Sequence, residues 1–433
     1  MKIAVVGSGI AGLACAHALA RTHRLPVTLY EAADYLGGHS HTVDVSVDGL
    51  THPVDTGFLV FNHRTYPRLL RLFAELDVPT AKSEMSFSVS LGGVLEWSGT
   101  SLASVFAQPA NLLRPRFIGM LRDILRFNRA AGSAAQGEDS GIALGEYLDA
   151  HGYGRAFRDW YLLPMAGAIW SCPTRTMLAY PFVTFARFCF NHGLLQVSDR
   201  PQWYTVAGGS REYVRRIAAR LDDVRLQSPV LRVRRTTAGV LLRTPTGEER
   251  FDRVVLACHS DQALAMIDAP TAAEQAVLGA VRYQPNVAWL HTDVALMPKR
   301  RRVWAAWNYL SSAPDSSGDS AHPVAVSYLL NKLQPLPFRT PVVLTLNPAK
   351  PPDAARVLAK FDYAHPVFDA AAIAAQGRLP DIQGADRLWF AGAWAGYGFH
   401  EDGLKAGLAV ADQVAADFAA ALSATCPPMR AAA

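Results

Sequence analysis

The sequence predicts an α/β fold built on a parallel sheet. The short apolar run Ile3–Val6 has no polar interruption, as is typical of a central parallel strand, and Val27–Tyr30 is a second predicted strand. An alanine-rich helical pattern at residues 13–20 separates them, as a strand–helix–strand unit requires. Residues 230–233 alternate between apolar and polar, and residues 251–258 form another strand of the buried type. Together these runs predict a doubly wound sheet with its first strand at the N-terminus.

The size and composition of the chain exclude several classes of protein. Its 433 residues are enough for two or three domains and a large core. Half of the residues are hydrophobic and 18% are charged, which is the wrong composition for a disordered protein. The formal net charge of +5 is too small to indicate nucleic-acid binding by itself. We therefore expect a folded protein with no nucleic-acid partner.

The cysteines and the apolar segments bear on the cellular compartment. The five cysteines are far apart and form no CxxC pair, so we expect reduced thiols and no metal site. No uninterrupted apolar run reaches the roughly 18 residues that a membrane-spanning helix needs. The first apolar stretch ends at a glycine after four residues, which is too short for a signal peptide. The expected location is cytoplasmic.

A glycine motif follows the first strand directly and opens the first helix. In a GxGxxG motif, the first glycine allows a tight turn, the second lets the backbone approach a pyrophosphate, and the third lets helix and strand pack closely. The start of the helix then offers unpaired N–H groups to the phosphates. The predicted cofactor-binding residues of this motif are Gly7, Gly9, Ile10, Ala11 and Gly12. The motif predicts a Rossmann-type dinucleotide site.

The end of the second strand narrows the choice of dinucleotide. Glu31 lies 19 residues beyond the last glycine of the motif and is followed by Ala32. A carboxylate at this place accepts hydrogen bonds from the ribose hydroxyls and repels a 2′-phosphate, so NADP is disfavoured. FAD and NAD both remain possible on these residues.

The next residues carry a resemblance to a known superfamily. Residues 34–42, with Gly37, Gly38, His39 and Thr42, resemble the second glycine motif of glutathione-reductase-type flavoproteins of the amine oxidase and phytoene desaturase superfamily. In that superfamily the glycines and a following arginine contact the flavin end of FAD. Here His39 stands at the place of the arginine. The resemblance implies that the cofactor is FAD.

The C-terminal part of the chain resembles the last FAD motif of the same superfamily. A short strand ends at Gly392, and a glycine- and alanine-rich helix follows from about residue 401. Its start would stabilise negative charge on the flavin. Ala393 stands where the family usually has an acidic residue. Further positions implied to contact FAD are Gly57, Phe58, Val230, Asp402, Gly403 and Leu404.

The resemblance implies a fold of two interleaved domains, α+β overall. A Rossmann-type FAD-binding domain is assembled from residues 1–80, 203–280 and 380–423. Residues 81–202 and 281–379 form an amine oxidase-like substrate domain of mixed sheet and helices. Surface loops are expected at residues 130–140 and 311–322, and residues 424–433 are expected to be a flexible tail.

The residues just before the last helix are expected to line the flavin. Trp394 and Tyr397 could form an aromatic wall, and His400 could transfer protons near neutral pH or cap the helix start. Asp55 could accept a proton or form a buried turn. No cysteine lies between Gly384 and Cys426, so we expect non-covalent FAD. Residues 281–290 lack the lysine of many amine oxidases, which disfavours an ordinary oxygen-reducing amine oxidase.

Further segments, around residues 201–210, 297–309 and 396–403, resemble a bacterial group of predicted FAD-binding oxidoreductases. Their genes often lie beside cyclopropane-fatty-acid synthase genes, which implies a fatty-acyl lipid as substrate and such a methyltransferase as a partner. The expected reaction is hydride transfer to flavin N5 in an oxidation, desaturation or isomerisation. The alternatives are an oxidase of apolar amines and a non-catalytic flavoprotein partner of the methyltransferase.

A basic amphipathic helix is predicted at residues 116–129. Its apolar residues recur at helical spacing, while Arg122, Arg126 and Arg129 form a basic stripe. Such a helix can lie on an anionic membrane surface, although an ordinary surface helix has the same pattern. The predicted place of action is therefore the cytoplasm or the inner surface of its membrane.

Overall fold

The predicted α/β fold is confirmed. The computed structural model describes residues 2–137, 141–170, 174–196, 200–312 and 324–425. A five-stranded sheet in which every neighbouring pair is parallel forms the core of the first region, which we call the cofactor region because the predicted glycine motifs lie in it. Its strands, in order across the sheet, are Asp223–Arg225, Val27–Tyr30, Ile3–Val6, Arg253–Leu256 and Leu388–Phe390. The sheet thus collects strands from three separated parts of the chain.

A seven-stranded mixed sheet forms the core of the second region. Its strands, in order, are Val357–Val367, Arg282–His291, Val343–Leu346, Ala325–Leu329, Trp307–Ser311, Phe87–Leu91 and Leu95–Ser98. All neighbours are antiparallel except the pair Trp307–Ser311 and Phe87–Leu91. Three small antiparallel sheets complete the strands: Thr42–Val47 with Leu50–Asp55; Phe61–Asn62, Trp203–Val206 and Thr80–Ser83; and Arg232–Thr236, Gly239–Thr244 and Gly247–Phe251.

Helices cover both sheets. The α-helices are Ile10–His17, Pro67–Leu76, Leu102–Val105, Pro115–Ala134, Leu144–Ala150, Arg155–Phe157, Leu163–Trp170, Thr174–Leu178, Phe182–Asn191, Arg211–Ala218, Ser260–Met266, Ala272–Leu278, Leu330–Leu333, Ala370–Gly377 and His400–Thr425. Short π or 3-10 segments are Ala18–Thr22, Pro109–Leu113, Arg158–Leu162, Val294–Leu296, Arg301–Val303, Ala354–Arg356, Leu379–Ile382, Ala385–Arg387 and Ala393–Ala395. Among the described residues, no helix is long and apolar enough to cross a membrane.

The first helix, Ile10–His17, and the C-terminal helix, His400–Thr425, pack backbone against backbone. A Cβ atom on Gly407 would lie 2.1 Å from the carbonyl oxygen of Ala11, which is closer than atoms can approach. A Cβ atom on Gly403 would lie 2.8 Å from the side chain of Ile10. The glycine- and alanine-rich composition is therefore a packing requirement, since larger residues would push the two helices apart.

The structure describes the two expected loops and the expected C-terminal tail only in part. The helix Pro115–Ala134 includes the first five residues of the loop expected at 130–140, so that loop begins later than expected. Alanine is a strong helix former and the helix simply continues through it. Residues 138–140, 171–173 and 313–323 lie outside the described residues, and with them most of the loop at 311–322. The C-terminal helix extends to Thr425, and residues 426–433 of the expected tail also lie outside.

Candidate functional site

A cavity of about 1740 Å³ lies where the two regions meet. The carboxyl ends of the strands Ile3–Val6 and Arg253–Leu256 open into it, since Val6, Gly7 and Ala257 line its wall. Ligands of open parallel sheets bind at this edge. The volume exceeds the roughly 300–1,000 Å³ typical of pockets for one small molecule. The cavity therefore has room for a dinucleotide and a second molecule.

The predicted glycine motif forms one end of the cavity. Gly7 has a φ of 102°, and a Cβ atom on Gly12 would lie 1.8 Å from the carbonyl oxygen of Gly7. By contrast, no atom lies within 4 Å of the place where Gly9 would carry a Cβ atom, and Gly9 borders the cavity. No side chain caps the start of the first helix. Bare backbone and open helix N–H groups are the donor set that a pyrophosphate needs.

The second glycine motif lies beside the first. Gly9 and Gly37 form a parallel β-bridge, and a Cβ atom on Gly38 would lie 3.1 Å from the Cα atom of Gly9. Both of these later glycines line the cavity and have a positive φ. The close approach requires the absence of side chains on both loops. The structure thus brings together the two motifs that the sequence placed 25 or more residues apart.

Glu31 is held rigidly at the end of the second strand. One carboxylate oxygen accepts hydrogen bonds from the backbone N–H and the hydroxyl of Ser8, and the other accepts from the N–H of Ala33. Glu31, Ala32 and Val230 all line the cavity. A fixed carboxylate at this strand end is the acceptor that the ribose of a dinucleotide requires.

His39, at the place of the family's arginine, is buried in the cavity wall with an unpartnered nitrogen. Its Nε2 atom has no hydrogen-bond partner among the described residues. Burial, reinforced by the charges that His365 and His259 would carry, holds the pKa of His39 well below its usual value. Leaving such a polar atom unpaired costs about 1–3 kcal/mol. A hydrogen bond from FAD would remove that cost, so the wall fits the cofactor.

Sequence reasoning missed two other histidines of this wall. His259 stacks on Tyr283 at a ring distance of 4.2 Å, and His365 accepts a hydrogen bond of 2.9 Å from the side chain of Asn286. Burial lowers the pKa of both, to about 4 for His365. His259 follows a recognised strand and could have been noticed, whereas nothing in the sequence marks His365. No group of His, Cys, Asp or Glu within the described residues has a metal-binding arrangement.

His400 is the first residue of the C-terminal helix and lines the cavity. Its ring stacks on Phe58 with centroids 3.8 Å apart, and its Nε2 atom lies 2.7 Å from the hydroxyl of Tyr213. Burial lowers its pKa to about 3. The expectation of a histidine that titrates near neutrality is therefore corrected, because the charged form is desolvated. His400 is a neutral hydrogen-bonding wall residue.

The other three residues considered for chemistry occupy different positions. Trp394 lines the cavity and donates a 3.1 Å hydrogen bond to the carbonyl of Cys258. Tyr397 does not line it and packs behind Phe188, with ring centroids 5.9 Å apart. Asp55 does not line it either. Its fully buried carboxylate accepts hydrogen bonds from Ser210, which favours the turn-forming role over the proton acceptor.

The remaining predicted cofactor residues fall into two groups. Gly57, Phe58 and Gly392 line the cavity. Four others do not border it and support its wall from behind: Thr42, Asp402, Gly403 and Leu404. Thr42 donates a hydrogen bond to Asp55, and Asp402 accepts one from the backbone N–H of Phe399. The positions of these four residues therefore favour a supporting role over direct contact with FAD.

An apolar arm continues the cavity away from the glycine motifs. Its wall comes from helices of the second region and the edge of the mixed sheet. Its apolar lining residues include Trp97, Leu102, Val105, Phe106, Leu121, Ile124, Leu125, Tyr161, Met165, Ile169 and Phe188. The amphipathic pattern of residues 116–129 was recognised in the sequence. The sequence did not show that side chains of this helix line a cavity, because helical periodicity does not reveal what a helix packs against.

Comparisons with known proteins agree with this arrangement. Residues 10–332 match the family of flavin-containing amine oxidoreductases. A Mycobacterium tuberculosis protein assigned as a flavin-containing monoamine oxidase is 28% identical over 267 residues, which cover 59% of this chain and 56% of that protein. The chain thus matches little more than half the length of this curated relative.

Solved structures show the same fold over nearly the whole chain. A structure assigned as a protoporphyrinogen oxidase from Exiguobacterium sp. 255-15 superposes with a TM-score of 0.67 at 16% identity, covering 96% of this chain and 99% of that one. The fatty acid isomerase from P. acnes gives a TM-score of 0.65 at 14% identity, covering 96% and 98%. At such identities the likeness concerns the fold. The family match covers most of the chain, and the chain therefore belongs to the family of flavin-containing amine oxidoreductases.

Proposed function

We propose that the protein oxidises, desaturates or isomerises a fatty-acyl lipid at the junction between the FAD site and the apolar arm. The observation that carries this proposal is the continuity of the cavity from the glycine motifs into the arm. FAD, when bound, supplies a two-electron acceptor. The protein then has to hold a C–H bond beside the cofactor, keep water out and hold the hydrocarbon.

The arm has the chemistry that a hydrocarbon chain needs. Burying apolar surface against such side chains gains roughly 25 cal/mol per Å², so a long acyl chain would be bound along its length. An ammonium group would need a free carboxylate or an aromatic cage to offset its desolvation. On the cavity wall, Glu84 is already paired with Lys332 at 2.9 Å, whereas Asp362 is exposed and forms no ion pair with a described residue, so an amine would have to use Asp362.

A stacked group of aromatic rings lines the continuous cavity. Phe399 stacks on Phe188 with centroids 4.7 Å apart, and Phe188 stacks in turn on His192 at 4.0 Å. Burial lowers the pKa of His192 to about 4, so its ring is neutral near pH 7. These side chains exclude water, and neutral His400 can orient a substrate by hydrogen bonding without competing for its proton.

Cys258 supports non-covalent attachment of FAD. It is the described cysteine that lines the cavity, and burial raises its pKa to about 12. Since the thiolate and not the thiol is the nucleophile, this side chain is unreactive near neutral pH. We propose that the holoprotein releases intact FAD when it is denatured.

Oxidation of an apolar amine is the second candidate, and it is favoured by the monoamine oxidase assignment of the Mycobacterium tuberculosis relative. The resemblance to oxidoreductases encoded beside cyclopropane-fatty-acid synthases instead supports an acyl substrate. It also supports a methyltransferase of that type as a partner at the cytoplasmic side of the membrane.

The experiment is an anaerobic titration of the purified yellow protein. Phospholipids and free acids with unsaturated or methyl-branched chains are added in one series, and primary and secondary alkyl amines in another. Loss of the oxidised flavin absorbance with acyl compounds alone would support the proposal for oxidation or desaturation, and altered acyl double bonds detected by mass spectrometry would support isomerisation. Reduction by amines alone would establish the second candidate. No change with either series, together with a stable complex with the methyltransferase, would contradict both.

A further inference from the structure

An exposed apolar surface surrounds the mouth of the apolar arm. Leu102 and Leu125 line the cavity and are also 79% and 56% exposed, so they mark its opening. Leu112, Leu113 and Ile118 lie in the intervening turn and helix and are exposed as well, Leu113 by 87%. We call these five residues the mouth surface. Half of the ten large hydrophobic residues that are exposed in the described chain lie here.

Two residues of the mouth surface, Ile118 and Leu125, lie on one face of the helix Pro115–Ala134. Ile118, Arg122, Leu125 and Arg129 have the spacing i, i+4, i+7 and i+11, and all four are exposed. Apolar and cationic side chains therefore alternate along one outward line. This is the arrangement of a helix that lies in a lipid interface, where its apolar residues enter the acyl region and its cations stay at the headgroups.

Within residues 94–129, the exposed charged side chains are all positive. Arg116, Arg122 and Arg129 are exposed and form no ion pair with any described residue. Both acidic residues of the stretch 94–129 are buried and already bound, Glu96 by Arg300 and Asp123 by Arg126. The sequence analysis placed Arg126 in the basic stripe, but its charge is neutralised by the ion pair with Asp123.

A second cluster of cations lies at the same mouth. The helix Leu102–Val105 packs against the turn Arg301–Val303. Lys299, Arg301 and Arg302 are exposed there and form no ion pair with a described residue, whereas Arg300 is exposed but paired with Glu96. Lys299 approaches the strand turn at Gly93, next to exposed Val94. The apolar opening is therefore flanked by cations on two sides.

We propose that the mouth surface docks on an anionic phospholipid bilayer and that the apolar arm opens directly into it. An exposed apolar patch rimmed by cations is complementary to such a surface, because each Lys or Arg near it gains attraction to anionic headgroups. The acyl chain then enters between Leu102 and Leu125 without crossing water. The docking stands on the surface alone, whereas the entry of acyl chains rests on the proposed function.

The test is cosedimentation of the FAD-loaded protein with vesicles. One set contains phosphatidylcholine alone and the other contains phosphatidylcholine with phosphatidylglycerol. Binding to the anionic set that weakens with salt is expected. The double variant Leu113→Ser, Arg116→Glu changes residues that do not line the cavity. It should lower binding at least about fivefold, the effect of one cation.

The matched control is Leu231→Ser, Arg243→Glu, which makes the same changes at exposed residues of the cofactor region. It should bind vesicles like the parent protein. Equal losses in both double variants, or no binding to anionic vesicles, would overturn the docking. So would concentration-dependent self-association that the first variant alone abolishes, since the surface would then be an interface between copies.

A failure of docking is distinguishable from a failure of the proposed function. Reduction of the flavin by dispersed free fatty acid does not require a bilayer. If the first double variant is reduced normally by dispersed acid but slowly by vesicle lipid, both proposals are supported. If the parent protein binds anionic vesicles but no acyl compound is oxidised or isomerised, docking stands and the acyl substrate is wrong.

Discussion

The two ends of the cavity are built by different means. At the cofactor end the wall is backbone, and glycines allow loops to approach each other within about van der Waals distance. In the apolar arm the wall is side chains from helices and strands that are far apart in sequence. A backbone wall depends on particular residues at particular spacings, whereas a side-chain wall can be built from many apolar residues. The first leaves a motif in the sequence and the second does not.

The largest effect is expected from filling the backbone wall. Gly12→Val places side-chain atoms where even a Cβ atom would be 1.8 Å from the Gly7 carbonyl. We expect the variant to lose several kcal/mol of stability, in the range reserved for severe packing defects, and to purify without FAD. The measurement is the flavin absorbance per protein and the unfolding temperature.

A helical glycine without neighbours is the control for that change. Gly132→Ala lies in the helix Pro115–Ala134, with no atom within 4 Å of the new Cβ. It should keep its FAD and gain about 0.5–1 kcal/mol from the helix propensity of alanine. Equal flavin content in both variants would break the comparison, because the cofactor end would then tolerate side chains.

The histidines of the cavity wall and the second region should make the protein sensitive to acid. Burial lowers the pKa of seven histidines below their unfolded value: His39, His41, His192, His259, His291, His365 and His400. A depressed folded pKa gives stability that is present above about pH 6.5 and lost as the pH falls. The four whose pKa falls to about 4 or lower, His192, His291, His365 and His400, would each cost about 1 kcal/mol between pH 6.5 and 5.5.

Two buried carboxyl groups oppose this trend. Burial raises the pKa of Asp55 and of Asp402 to about 6, so their protonation below that pH stabilises the folded state. The seven lowered histidine pKa values outweigh the raised carboxyl pKa values, and the net loss of stability is measured as a fall in unfolding temperature from pH 7 to pH 5.5. His365→Gln should flatten the slope, and exposed His63→Gln should not. A stability that rises toward pH 5.5 would contradict the neutral histidine wall.

A smaller effect on activity is expected from a larger side chain that narrows the apolar arm. Leu121→Trp adds volume in the arm without touching the glycine motifs. We expect kcat/KM for an acyl substrate to fall about 10- to 100-fold, the range by which an apolar pocket discriminates shape. The flavin spectrum and the affinity for FAD should stay as in the parent protein.

The control for this change is Leu358→Trp, at an exposed residue on an edge strand of the mixed sheet. It should leave kcat/KM within about twofold, as surface substitutions usually do. A loss of FAD from Leu121→Trp would show that the two ends of the cavity are coupled, and the comparison would need revision.

The smallest effect concerns the side chain that departs from the family pattern. His39→Ala removes the unpartnered Nε2 atom from the wall. If that atom bonds FAD, the dissociation constant should rise about tenfold, the value of one hydrogen bond of about 1.4 kcal/mol. The stability without FAD should not fall, because an unsatisfied buried group is removed.

His52→Ala is the matched control, since that side chain bonds the neighbouring Pro53 carbonyl and does not line the cavity. Its FAD affinity should equal that of the parent protein by fluorescence titration. An unchanged affinity in His39→Ala would show that the wall at this place does not contact the cofactor.

Most of the predicted glycine residues line the cavity, whereas two of the four residues considered for chemistry do not. Gly7, Gly9, Gly37 and Gly38 line the cavity as their spacing predicted. Asp55 and Tyr397 do not line it, although both lie close in sequence to residues that do. Proximity along the chain brings the backbone of a residue near the cavity. Whether its side chain lines the cavity depends on neighbours from other elements, which are Ser210 for Asp55 and Phe188 for Tyr397.

The sequence by itself determined the parallel sheet, the dinucleotide site and the superfamily, because each rests on short-range patterns of glycine and apolar residues. Only the tertiary structure decided that His39, His259 and His365 share one wall, and that Leu102 and Leu125 open the arm at a basic surface. Within each of these two groups, the residues lie between 23 and 326 positions apart in the sequence. Desolvation and cavity shape are properties of what surrounds a residue, and that surrounding exists only after the chain has folded.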